Sequence, residues 1–142
     1  MHVDHILKSK GTTVHTVTAN AKIADAIHIL NSRKIGAAVV VDDQGGVVGI
    51  LSERDIVRHM ETDPAALLKR PVSDCMTSTV ITGTRATTVA EIMDQMTRYR
   101  VRHIPIVENG KLVGIVSIGD VVKRKIEEAE SEAAALKDYI AS

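Results

Sequence analysis

The chain has 142 residues, 44% of them hydrophobic and 25% charged, which suits one compact domain or two small fused ones. Lys plus Arg balance Asp plus Glu at 18 each, and aromatic residues make up only 1%, so the basic surface and the stacking platforms expected of a nucleic-acid binder are both missing. No apolar run reaches the roughly 18 residues a membrane span needs, the start Met1-His2-Val3-Asp4-His5 does not read as a signal peptide, and the lone Cys75 has no disulfide partner, so the expected setting is the cytoplasm.

In chain order, residues 1–11 read as an N-terminal helix or extension. A short strand follows at Val14-His15-Thr16-Val17. Ile23, Ala26, Ile27 and Leu30 then fall at i, i+3, i+4 and i+7, the spacing of an amphipathic helix. The apolar run Ala37-Ala38-Val39-Val40-Val41 reads as a buried strand. It turns through Asp42-Asp43-Gln44-Gly45-Gly46 into Val48-Gly49-Ile50, and a helix starts after Ser52. This first unit spans residues 12–62. A connector with Pro64, Pro71 and the apolar Ala65, Leu67 and Leu68 covers 63–77.

The pattern then repeats. A shift of 66 places Val89, Ile92, Met93 and Met96 on the apolar face of Ile23, Ala26, Ile27 and Leu30. Val80-Ile81-Thr82 matches the first strand, and His103-Ile104-Pro105-Ile106-Val107 the second. The turn Glu108-Asn109-Gly110 is one residue shorter, so Val113-Gly114-Ile115, Ser117 and Asp120 follow at a shift of 65. This second unit spans 78–125. Each unit is strand, helix, strand, strand, helix, and neither buries its own sheet alone. The predicted fold is therefore α/β of the α+β kind: two tandem β-α-β-β-α repeats packed about a pseudo-twofold axis. A helical tail at 126–142 continues the last helix, with Val122, Ile126, Ala129, Ala133, Leu136 and Ile140 on a heptad seam.

Two stretches, Gly49-Ile50-Leu51-Ser52-Glu53-Arg54-Asp55 and Gly114-Ile115-Val116-Ser117-Ile118-Gly119-Asp120, together with Arg102-His103-Ile104-Pro105-Ile106-Val107 and the connector Val72-Ser73-Asp74-Cys75-Met76-Thr77, closely resemble a tandem pair of CBS (cystathionine-β-synthase-type) repeats. The resemblance covers roughly residues 12 to 125. It implies a stand-alone regulatory module that binds AMP, ATP, S-adenosylmethionine or an NAD-like ligand between the repeats, and a disc-like homodimer.

Ser52 and Ser117 are favoured helix N-caps, with Asp55 and Asp120 placed to complete them. Their hydroxyls can cap a helix and still donate to a ligand oxygen. By the resemblance, Ser117, Gly119 and Asp120 face ribose and phosphate. Arg102 and His103 lie near phosphates, Ile104 lies against adenine, and Thr79, Val80 and Ile81 form the opposite wall. Pro105 lacks an N–H for a strand ladder, so an edge or bulge is expected there, with main-chain groups nearby free for a base edge. The first repeat has Gly36, Ala37 and Ala38 where the second has Arg102, His103 and Ile104. It compensates with Arg54 between Ser52 and Asp55, and with Lys10-Gly11 ahead of the strand at Val14. Two unequal sites are expected: AMP-like in the second repeat, and NAD(H) or another adenosyl ligand in the first.

Six histidines (His2, His5, His15, His28, His59 and His103) lack zinc spacing, and no Walker loop, nucleophile elbow or metalloprotease motif is present. No catalytic residue and no metal are expected. The alternatives are a ligand-free interaction scaffold and, less favoured by the residues, a slow nucleotide hydrolase.

Overall fold

The computed structural model describes residues 1–142. In chain order the elements are α1 (Val3–Lys10), β1 (Thr16–Thr18), α2 (Ile23–Arg33), β2 (Ala37–Val41), β3 (Val47–Ser52), α3 (Glu53–His59), α4 (Pro64–Leu67), a 3-10 turn (Val72–Asp74), α5 (Val89–Tyr99), β4 (His103–Glu108), β5 (Lys111–Ser117) and α6 (Ile118–Ala141). In the first sheet β1 runs parallel to β2, which pairs antiparallel with β3. The second sheet is the antiparallel pair β4-β5.

The repeats share their local solutions. Both α3 and α6 begin at a serine whose Oγ accepts from the backbone N–H three residues on, while that residue's carboxylate accepts from the serine N–H. Lys34 and Arg100 each end a helix at φ 54°, in the left-handed region. The next residue then reaches back across the last turn, Ile35 N–H to Leu30 O at 3.0 Å and Val101 N–H to Met96 O at 3.2 Å. Glu53 N–H donates to Gly36 O at 3.0 Å, and its counterpart Ile118 N–H donates to Arg102 O at 2.8 Å.

One expected strand is not formed. Val80-Ile81-Thr82 adopts no regular strand, and the third strand of the second repeat shrinks to a single parallel bridge, Gly83 to Ile106. Gly83 N–H donates to Pro105 O at 3.0 Å, and Val107 N–H donates to Gly83 O at 2.9 Å. The next rung toward Ile81 needs an N–H at position 105, which proline lacks. In the first repeat the matching pair, Thr16 and Val39, is part of the ladder.

Each repeat's core is completed by the segment that precedes the other repeat. Leu67, Val72 and Cys75 of the connector pack with Val17, Ile23, Leu30, Val40 and Leu51. Val3, Ile6 and Leu7 of α1 pack with Val89, Ile92, Met96, Ile104, Ile106 and Val116. The N-terminal extension is thus part of the second repeat's core. Two matching glycines permit the exchange. A Cβ on Gly49 would lie 3.0 Å from the Thr77 carbonyl oxygen and collide with the Met76 side chain, and one on Gly114 would collide with Leu7.

Candidate functional site

A cavity of about 490 Å³ opens between the repeats, within the size range of small-molecule sites. Residues from both motifs line it: Ser52, Glu53, Arg54 and Asp55 from the first, Ser117, Ile118 and Gly119 from the second. Gly36 and the segment Arg100-Val101-Arg102-His103 enter from the ends of α2 and α5, Thr77 from the connector, and Thr79, Val80 and Ile81 from the start of the second unit. Residues expected in each of the two sites thus line one space, whereas Lys10, Gly11, Val14, Ala37, Ala38, Ile104, Pro105 and Asp120 stand outside its lining.

The cavity's charge is mainly basic. Arg54, Arg58, Arg100 and Arg102 line it, against Glu53 and Asp55. Arg58 lies 3.8 Å from Asp55, whereas Arg54, Arg100 and Arg102 make no ion pair within the chain. Three unpaired guanidiniums facing one space form a site for an anion, phosphate in particular. Gly36 contributes by what it lacks: a side chain there would point toward the His103 ring and the Glu53 carboxylate, at 3.7 and 3.9 Å.

The second wall follows from Pro105. Because the ladder stops at Gly83, residues Thr79 to Thr82 make no backbone–backbone hydrogen bond. The Ile81 N–H and C=O stay free beside the cavity, a donor–acceptor pair of the kind a purine edge matches. The Pro105 carbonyl itself is taken by Gly83. Pro105 is buried within β4, paired with Ile115. Ile104, expected against adenine, is fully buried in the second core and does not line the cavity. Its alternate position in β4 turns it inward while His103 faces the cleft.

The two acids differ sharply. Asp55 is 4% exposed. Its Oδ2 accepts from Ser52 N–H and Ser52 Oγ–H, each at 3.0 Å, and its Oδ1 from Thr77 Oγ–H at 3.2 Å. Asp120 accepts on Oδ2 from Ser117 N–H at 2.9 Å and from Lys10 Nζ at 2.7 Å, with Oδ1 unpartnered. Lys10 also donates to Ile115 O at 3.0 Å. Lys10 was expected beside the first motif, and it sits on the second instead, because α1 packs against β5. Partial burial pushes the Asp120 carboxyl up, but the Lys10 ammonium and the Ser117 donors outweigh it and hold it below the usual carboxylate range. Burial, helped by Lys10 and Arg102, pulls the His103 imidazole down against the opposing pull of Asp120 and Glu53. It is therefore neutral at pH 7.

Of the other residues expected in the first site, Ala37 and Ala38 are buried in β2. Val14 lines a separate hollow of about 650 Å³ beside the two hairpin turns. Gly11, at φ 97°, ends α1. Sequence reasoning did not assign Thr77, Arg58, Arg100 or Glu53 to the site. Arg58 follows Asp55 by one helical turn, and Thr77 is the residue that the chain exchange brings onto Asp55.

The model of the CBS domain matches residues 10–62 and 72–127. This chain belongs to the CBS-domain family. A CBS-domain-containing protein of Agrobacterium tumefaciens superposes with a TM-score of 0.84 at 44% identity, over 87% of this chain and 92% of that one. The CBS domain pair of protein MJ0100, solved with 5′-methylthioadenosine and S-adenosyl-L-methionine, matches at 26% identity with a TM-score of 0.80, over 90% and 98% of the two chains. A mitochondrial CBS-domain-containing protein of Arabidopsis thaliana is 34% identical over 97% of this chain and 71% of its own length. No helix of this CBS pair is long and apolar enough to cross a membrane.

Proposed function

We propose that this CBS pair is a regulatory module that binds an adenine nucleotide, AMP-like in chemistry, in the cavity between its repeats. The observation that carries this reading is the convergence on one cavity of three unpaired arginines and a strand-free segment with open main-chain groups. The adenine edge meets the Ile81 main chain. The ribose lies toward the Ser52 and Ser117 hydroxyls, and the phosphate against Arg54, Arg100 and Arg102. Asp120 joins the ligand shell when Lys10 releases it. The related pair solved with two adenosyl ligands supports the ligand class. NAD(H), ATP and S-adenosylmethionine share the adenosyl group and are the competitors to AMP. The ligand regulates by its unequal affinity for two states of the module. No catalytic step is part of the proposal. The module acts as a homodimer, and in the cytoplasm, where a lone buried thiol such as Cys75 stays reduced.

The test is titration calorimetry with AMP, ATP, NAD, S-adenosylmethionine and 5′-methylthioadenosine. AMP is expected to bind with one equivalent per chain. Arg102→Ala should weaken AMP by about tenfold, the scale of one charged hydrogen bond, and leave phosphate-free 5′-methylthioadenosine within about twofold. Absence of binding by all five ligands at millimolar concentration would overturn the reading in favour of an interaction scaffold.

A further inference from the structure

Helix α6 outruns the domain it belongs to. Val121 is buried in the second core, but from Ala129 to Ser142 every residue is exposed. Val122, Ile126, Leu136 and Ile140 are 50%, 53%, 59% and 73% exposed. A helix that gains nothing from packing is marginal in water at this length. The apolar residues fall on one seam, with Val122, Ala129 and Leu136 at d and Ile126, Ala133 and Ile140 at a.

We propose that this tail pairs with the tail of a second copy of the chain, as a parallel, in-register coiled coil. The charges flanking the seam select the partner and its direction. In the parallel arrangement each g residue meets the e residue five positions on in the other copy. Lys125 then faces Glu130, and Glu132 faces Lys137, and twofold symmetry repeats both pairs. Glu130, Glu132 and Lys137 have no ion-pair partner within their own chain. Lys125 lies 3.4 Å from Glu128 of its own helix and is shared between the two. An antiparallel pair also matches the apolar layers, Val122 on Ile140, Ile126 on Leu136 and Ala129 on Ala133, but it sets Glu130 on Glu130, Glu132 on Glu132 and Lys123 on Lys137. Like charges there oppose it. Ile126 and Ile140 at a with Leu136 at d suit two strands rather than three or four.

The inference rests on the homodimer reading above and is independent of the ligand. Sedimentation equilibrium on the full chain tests it with two charge reversals. Glu132→Lys alone and Lys137→Glu alone each convert two attractive contacts into repulsive ones, and each should weaken the dimer by about tenfold. An equal mixture of the two variants restores opposite charges at both places and should recover the wild-type dimer. Leu136→Cys should form an intermolecular disulfide on oxidation, because d residues of parallel, in-register chains face each other. A monomeric wild-type chain would overturn the homodimer reading and this inference together. A dimer indifferent to both reversals, with no cross-link at 136, would overturn this inference alone and leave the homodimer standing on another face.

Discussion

Two copies of one capping motif serve different ends in this molecule. In the first repeat the connector delivers Thr77, a neutral donor, onto Asp55, and the acid is closed off by Ser52 and Thr77. In the second, α1 delivers Lys10 onto Asp120, and one carboxylate oxygen stays unpartnered. The strands preceding the repeats diverge as well, with Val39 extending a ladder and Pro105 stopping it. The lesson is that a duplicated unit keeps its backbone solution while its edges are redirected by single residues: Thr77 against Lys10, Val39 against Pro105, Gly36 against Arg102.

The largest expected effect separates the two acids. Asp55→Ala removes the acceptor of three donors, two on half-buried Ser52 and one on exposed Thr77, and should cost about 2 kcal/mol of stability, whereas Asp120→Ala should cost about 1 kcal/mol, the scale of a lost cap. Urea unfolding of both variants measures the gap, and equal losses would break the comparison. Next comes the strand edge. Pro105→Val restores the N–H and should extend the parallel ladder to Ile81, seen as new amide-exchange protection at position 105. By occupying the Ile81 main chain it should weaken AMP by about tenfold, roughly the worth of one hydrogen bond. Unchanged affinity would remove Ile81 from the site.

Lys10→Met probes the latch on Asp120. The pair is partly exposed, so its loss should cost only about 0.5 kcal/mol, while AMP should tighten a few-fold as the carboxylate is freed. The folded Asp120 carboxyl sits below its ordinary value, so its stabilising contribution is complete above about pH 4 and is lost as pH falls through the folded value. Lys10→Met should therefore shrink the acid-induced loss of stability, measured as melting temperature between about pH 4 and pH 2. The smallest effect concerns His103. Its folded pKa lies below the ordinary imidazole value, so the unfolded chain takes up a proton first. Stability is full above about pH 6.5 and declines as pH falls toward the folded value. His103→Gln should flatten the melting curve in that window, and an identical pH dependence would show that another group titrates there.

Much of this was legible in the residues. The 66-residue shift of Ile23, Ala26 and Leu30 onto Val89, Ile92 and Met96 carries the duplicated helix, and all six are buried. Ser52 with Asp55 and Ser117 with Asp120 cap as their spacing requires. These features are local, set by hydrogen bonds and periodicities within a few residues. The lost strand at Val80-Ile81-Thr82 was also within reach, because proline's missing N–H is a property of the sequence. Its consequence, however, depends on which segment lies beside position 105.

What the sequence alone determined is therefore the repeat, its capped helices, the buried strands and the seam on α6. The tertiary structure decided the rest: that α1 completes the second core and the connector the first, that Lys10 reaches Asp120, that Thr77 reaches Asp55, and that both motifs open onto one cavity. Each of these joins residues far apart in the chain, as Lys10 and Asp120 are. No local propensity encodes such a meeting. It is fixed by which apolar face each core lacks, and by the two glycines, Gly49 and Gly114, that leave room for the crossing segments.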